Sequence, residues 1–270
     1  MGWMTTAPLP LVGLAILALL LVCVEIGFAS PRWMRRPTGA KDARPGGPDL
    51  LLSAVLGLLA LLLGFTFSLA LNRFEARRDL VLQEANAIGT TWLRVQLLEE
   101  PLRGQMDRAM RDYVRVRIAW SETEERGGGG AATDAAQRRL WTLTGAAVRG
   151  DPSPQLSRAV MDAMNQSFDL AAARTTARST QIPRRILNIL MLYAALAAVM
   201  LGYVLAADGR RHRMATTLLL ALLSLSLILI MDIDRPLRGG IKVSQQPMEA
   251  LLTTMGQPAS GPAPATPPGR

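Results

Sequence analysis

Leu50-Leu51-Leu52-Ser53-Ala54-Val55-Leu56-Gly57-Leu58-Leu59-Ala60-Leu61-Leu62-Leu63-Gly64-Phe65-Thr66-Phe67-Ser68-Leu69-Ala70-Leu71 carries no charge and passes directly into Asn72-Arg73-Phe74-Glu75-Ala76-Arg77-Arg78. As an α-helix the uncharged part is ~33 Å long, enough to cross a hydrocarbon core of ~30 Å. Neither Gly nor Pro stands at the junction itself. One helix is therefore expected to leave the membrane and continue into a charged helical region. That geometry suits a pore mouth or a signalling stalk, not an enzyme pocket.

Three further runs meet the same length test: Leu9 to Ala29, Ile186 to Ala207 and Met214 to Met231. No Lys or Arg precedes the first, and Glu25 interrupts its far end, so it reads as a retained span rather than a cleaved signal peptide. The expected fold is an all-α membrane protein with four transmembrane helices and an α-helical bundle domain inserted between spans two and three. Its parts are residues 1–71 with the first two spans, 72–183 as the extramembrane bundle, 184–232 with the last two spans, and 233–270 as an extramembrane segment. From about residue 256 the Pro/Gly-rich composition predicts a disordered tail. An even number of spans puts both termini and the bundle on one side. Arginines flank both faces in nearly equal numbers, so charge alone leaves the orientation open.

The bundle reads as helices throughout. Phe74, Val81, Ala85, Ile88, Trp92 and Val95 repeat at helical spacing as one apolar stripe. Pro101 suits a first turn, and Leu102, Met106, Ala109, Tyr113, Val116 and Trp120 make a second stripe. Gly127 to Gly130 predicts a flexible hairpin tip, followed by a short helix around Leu140 to Val148. After Pro152 and Pro154 a last helix carries Val160, Met164, Phe168 and Ala171. Glu84 and Asn86 read as polar contacts inside this bundle.

The chain is 50% hydrophobic with 5% aromatics and a mean hydropathy of +0.22, which fits membrane helices alternating with one polar region. Its net charge of +9 is almost all arginine, Lys41 and Lys242 being the only lysines. Basic charge on such a chain sets topology and meets anionic lipid; no aromatic-interleaved patch points to nucleic acid. Cys23 is the lone cysteine and His212 the lone histidine, so disulfides, thiolate clusters and multi-histidine metal sites lack their parts. No enzyme is expected.

Several residues are candidates for function. Ser53, Gly57, Ala60, Gly64, Ser68 and Asn72 recur at three- or four-residue spacing along span two, and Ala194, Ala198, Gly202 and Ala206 do so along span three. Close helix packing is the usual use of small residues in bilayers and is the favoured reading. The other reading lines a narrow axial path with the span-two stripe, with Gly64, Phe65 and Phe67 at an apolar constriction. Arg73, Glu75 and Arg77 form a charged collar at the membrane edge, an interfacial anchor or, in a symmetric assembly, a basic ring that attracts anions. Asp232 and Asp234 alternate just after span four, where carboxylates and carbonyls can ligate a hard cation such as calcium; structural capping is the favoured reading, since two acids are few for such a site. Glu25 is the only acid inside an expected span and sits close enough to the interface to snorkel.

Gly64-Phe65, Arg73-Phe74-Glu75-Ala76-Arg77, Leu80 and Asn86 together resemble the bacterial bestrophin pattern. Asp232-Ile233-Asp234-Arg235-Pro236-Leu237-Arg238-Gly239 is similar to the acidic, proline-containing segment after the fourth span of that family. Glu84-Ala85-Asn86-Ala87-Ile88-Gly89-Thr90 and Ser244-Gln245-Gln246-Pro247 resemble a bacterial family described as bestrophin-like. The resemblance implies a pentameric anion channel in the bacterial inner membrane, with cytoplasmic termini and bundle. It implies Phe65 and Phe67 near the neck and Asp232 and Asp234 near a calcium clasp. The chain departs from the pattern where Thr66-Phe67-Ser68 replaces the usual polar residues, and it lacks the family's richness in aromatics and histidine.

The expected function is thus a bestrophin-like homo-oligomeric channel for small anions, with the lipid bilayer as its other partner, no nucleic acid and no cofactor apart from the calcium that the resemblance implies. The alternative is a non-conducting scaffold or sensor whose bundle binds a protein partner.

Overall fold

The computed structural model describes residues 8–33, 47–122, 130–150, 154–207, 212–235 and 239–257, with the backbone alone at 31–33 and 47. Among the described residues the chain forms eight helices: α1 Leu9–Trp33, α2 Gly47–Val95, α3 Leu102–Glu122, α4 Gly130–Gly150, α5 Pro154–Ser179, α6 Arg184–Ala207, α7 Arg213–Asp234 and α8 Gln246–Gly256. No strand occurs among them. The expected glycine tip over 127–129, the proline break at 152–153, the arginines at 210–211 and the tail beyond 257 lie outside the described residues.

α2 is a single helix of 49 residues, as the uninterrupted junction at Asn72 requires. Among the described residues four helical stretches are long and apolar enough to cross a membrane: Leu9–Ser30, Pro48–Val95, Pro154–Ala207 (which takes in α5 and α6) and Arg213–Asp234. Contacts divide the chain into two compact units. The first comprises Met1–Phe74 and Gln181–Lys242, the second Glu75–Thr180 and Val243–Arg270.

In the first unit α1 packs against α6 and α7. Val12, Ile16, Leu20, Cys23 and Val24 give α1 an apolar stripe, which meets Leu190, Met191, Ala194, Ala197 and Ala198 of α6 and Leu220 and Leu227 of α7. Small residues let two backbones approach until main chain touches main chain. A Cβ at Gly27 would lie 1.9 Å from the Val199 carbonyl oxygen, and one at Gly202 would lie 2.0 Å from that of Val24. The Ser224 hydroxyl donates to the Gly13 carbonyl (3.0 Å) and ties α7 to α1 as well. Ala70 of α2 joins Ile182, Ile230 and Ile233 in a smaller cluster, with Phe74 packed against it.

In the second unit the core is built from Val81, Ala85, Ile88 and Val95 of α2, Met106, Met110, Tyr113 and Val114 of α3, Leu140 of α4, Val160 and Met164 of α5, and Met248 and Met255 of α8. Of the two predicted stripes, Val81, Ala85, Ile88, Val95, Met106, Ala109 and Tyr113 face this core, with Trp92 and Leu102 half-buried against it. Phe74 instead packs on the Ala70 cluster, and Val116 is half-buried outside this core.

Two expectations change. α4 is longer than the predicted Leu140 to Val148, because the Ala-rich segment after Gly130 has high helix propensity and buries Thr133 and packs Ala136 on the core. Gly130, read as part of a loop, instead leads α4 with a φ of 65° that costs a residue without Cβ little. Residues 233–270, expected as a separate extramembrane segment, contain a further helix, α8, which joins the bundle unit. Its signal was present: Pro247 in the first turn, Glu249 there too, and Met248, Leu251, Leu252 and Met255 at helical spacing.

Candidate functional site

The small-residue stripes of α2 and α6 meet different fates. On α6, Ala194, Ala198 and Gly202 are buried against neighbouring helices. On α2, Ser53, Gly57, Ala60, Gly64, Ser68 and Asn72 are all exposed, and no atom of the chain lies within 4 Å of where a Cβ would stand on Gly57 or Gly64. Only 11% of the most apolar stretch of α2 is buried, against 28–39% for the other three. Packing within the chain therefore accounts for the α6 stripe and not for the α2 stripe.

Phe65 is 66% exposed and Phe67 36% exposed. Two residues apart on a helix means about 200° around its axis, so the rings flank the stripe on opposite sides with Gly64 and Ser68 between them. The collar is split by burial: Glu75 is exposed, Arg73 half-buried, and Arg77 is 6% exposed. Continued along α2, the stripe reaches Glu75 and Asp79, both exposed, so acids rather than Arg77 follow it beyond Asn72.

Asp232 and Asp234 both hold backbone. The Gly240 amide donates to Asp232 Oδ1 at 2.7 Å, and the Arg235 amide closes the end of α7 on the Asp232 carbonyl at 3.1 Å. The Ile182 amide donates to both carboxylate oxygens of the buried Asp234, at 3.0 and 3.1 Å. Calcium takes about six to eight oxygens. Among the described residues no group of three or more His, Cys, Asp or Glu side chains comes together. This donor set fits amide capping better than a calcium shell.

Among the described residues the most heavily buried charges lie elsewhere, at a cluster of which the sequence points only to Glu84; Asn86, expected beside it inside the bundle, is exposed. Glu84 of α2 and Arg117 of α3 are both fully buried, and Arg117 Nε donates to Glu84 Oε1 at 2.6 Å. Arg174 of α5, 6% exposed, donates through Nη1 to Glu84 Oε2 at 2.6 Å and through Nη2 to Gln245 Oε1 at the entry to α8. Burial lowers the pKa of Arg174 first of all, and the Glu84 charge opposes that. Trp120 is stacked by three guanidiniums, with the Cζ atoms of Arg117, Arg178 and Arg174 at 4.2, 4.4 and 5.2 Å from the ring centroid. Burial pushes the neighbouring Tyr113 phenol up to about 12.

A family described as "Bestrophin-like domain" matches residues 16–248. The chain belongs to the bestrophin-like family. Solved structures agree with it in fold. A point variant of a bacterial bestrophin homolog from Klebsiella pneumoniae shares 17% identity, covers 89% of this chain and 94% of its own, and superposes with a TM-score of 0.61. A structure of that homolog phased on zinc shares 16% identity over 90% of this chain and 95% of its own, with a TM-score of 0.63. A variant described only as a membrane protein shares 16% over 88% and 94%, with a TM-score of 0.65. Among curated proteins none matches. With its apolar helices, this bestrophin-like protein is a multi-pass membrane protein.

In the bestrophin-like chain two of the stretches that resemble the family meet at one side chain. Arg174 joins Glu84, from the Glu84-to-Thr90 stretch, to Gln245, from the Ser244-to-Pro247 stretch. Glu25, the acid of span one, is exposed and lines a cavity of about 360 Å³ together with Phe28, Leu205, His212 and Arg213.

Proposed function

We propose that this bestrophin-like protein assembles as a homo-oligomer around α2 and passes small ions along the axis so formed. The observation that carries the reading is the α2 stripe. Six small or polar residues, Ser53 to Asn72, all stand exposed on the least covered span, where lipid gains nothing from them. Copies arranged with this face inward leave a narrow path past Gly64 and Ser68, and Phe65 and Phe67 then bracket the neck. By its family the ion is an anion and the ring a pentamer in the bacterial inner membrane, with the bundle in the cytoplasm. The exposed Glu75 and Asp79 favour a second reading, in which acids at the mouth draw cations instead.

The decisive experiment is native mass spectrometry in detergent followed by flux in liposomes. A ring that passes chloride supports the anion reading, and a reversal potential that follows sodium supports the cation reading. Gly64→Leu is expected to keep the ring and cut the flux. A monomer or dimer, or a ring without flux, overturns the channel and leaves the scaffold. If the flux ignores both Phe65→Ala and Phe67→Ala, the neck lies elsewhere. A reporter fused after Met255 is expected to be active in the cytoplasm.

A further inference from the structure

The buried cluster of the helical bundle holds more positive than negative charge. Glu84 supplies one carboxylate, while Arg117 and Arg174 supply two guanidiniums, with side chains 0%, 0% and 6% exposed. Tyr113 beside them adds no charge at neutral pH, since burial holds its phenol protonated up to about 12. Gln245, the other partner of Arg174, is neutral. One buried positive charge is left over, and a charge out of water is costly without a counter-charge.

Two buried donors at this place also lack an acceptor. Arg117 spends Nε on Glu84 Oε1 (2.6 Å) and Nη2 on Glu84 Oε2 and the Ala171 carbonyl (both 3.4 Å), while its Nη1 reaches no hydrogen-bond acceptor. Trp120 Nε1 is likewise buried without an acceptor. These groups are neighbours, because Arg117 Cζ lies 4.2 Å from the Trp120 ring centroid. A water molecule satisfies such donors and leaves the charge. A small anion answers both.

We propose that the bundle binds one monovalent anion of the halide class beside the stacked Arg117 guanidinium and Trp120 indole, with Arg117 Nη1 and Trp120 Nε1 as its donors. Both donors belong to α3, and Arg117 ties them to the Glu84–Arg117–Arg174 cluster. It does not depend on whether α2 lines a path. Because the anion completes the charge of the cluster that joins α2, α3, α5 and the entry to α8, halide concentration bears on the stability of the bundle.

Crystals of the full-length protein grown in bromide are expected to give an anomalous peak in contact with Arg117 Nη1 and Trp120 Nε1. A water at that place, or bromide only elsewhere, overturns the proposal. In solution, exchanging gluconate for bromide at constant ionic strength is expected to raise the unfolding temperature in a saturable way. Trp120→Phe keeps the ring and removes the donor, and is expected to raise the half-saturating bromide concentration about tenfold. A Trp120→Phe curve that coincides with wild type overturns the proposal, as does a bromide peak with no saturable shift, which is binding at crystal concentration only. If the variant fails to fold, the wild-type peak decides. Flux measured on the same preparations separates this site from the channel, since either result stands without the other.

Discussion

Gly27 of α1 and Gly202 of α6 lie backbone against backbone, each occupying the space in which the other helix places a carbonyl oxygen. A Cβ on either would come within 1.9–2.0 Å of that oxygen, closer than any side-chain shift relieves. Gly27→Ala and Gly202→Ala are therefore expected to force α1 and α6 apart, each costing about 1–3 kcal/mol or more. Thermal unfolding in detergent reads this directly. Gly57→Ala is the contrast, since nothing stands within 4 Å of its added methyl and alanine favours helix. An equal loss at Gly57 would contradict the assignment of packing to α6 and exposure to α2.

Glu84→Gln removes the carboxylate that faces both Arg117 and Arg174. Breaking a buried pair from one side costs about 3–5 kcal/mol, because the remaining charges stay buried. Denaturant unfolding of the full-length protein should show that loss. Asp112→Asn, which touches only the exposed Arg115 and Arg139 pairs, is expected to cost under ~1 kcal/mol.

A Cβ at position 239 would lie 2.6 Å from Asp232 Oδ1 and 2.7 Å from the Asp232 carbonyl oxygen. Gly239→Ala should therefore force Gly239 and Asp232 apart and destabilise the protein, and Asp234→Ala should release the Ile182 amide at a cost of roughly 1–3 kcal/mol. Both carboxylates hold amides, so millimolar calcium is expected to leave the unfolding temperature of the wild type unchanged. A clear rise would give these acids a metal-binding role.

Tyr113 predicts a pH dependence. Burial raises its folded-state value from 10.0 to about 12, so the native state disfavours the phenolate. The contribution is fully present below the unfolded value near 10 and is lost as pH climbs from there through about 12. The loss is on the order of 2 kcal/mol, and Tyr113→Phe should flatten that part of the stability curve. Alkaline unfolding of the two proteins side by side measures the difference.

Much of this fold could be read from order along the chain. The four apolar runs are visible because crossing a bilayer demands uninterrupted hydrophobicity, which leaves a local signature. The bundle stripes ending at Val95 and Trp120 are visible for the same local reason, helical periodicity. Arg117 defeated that logic, because it occupies an inward position between Tyr113 and Trp120 where an apolar residue is expected. Its partner Glu84 is 33 residues away, and Arg174, 90 from Glu84 and 71 from Gln245, closes the set. No local pattern pairs charges across such separations.

The sequence by itself determined the helical class, the membrane character, the continuous α2 and the family, since each rests on runs and motifs of neighbouring residues. Tertiary structure alone decided which small-residue stripe packs and which stays open, where Arg77 is buried, and how Glu84, Arg117, Arg174 and Gln245 come together. Those outcomes depend on which helix faces which. A periodic stripe records that a face is buried or special, and only the neighbouring backbone decides what meets it.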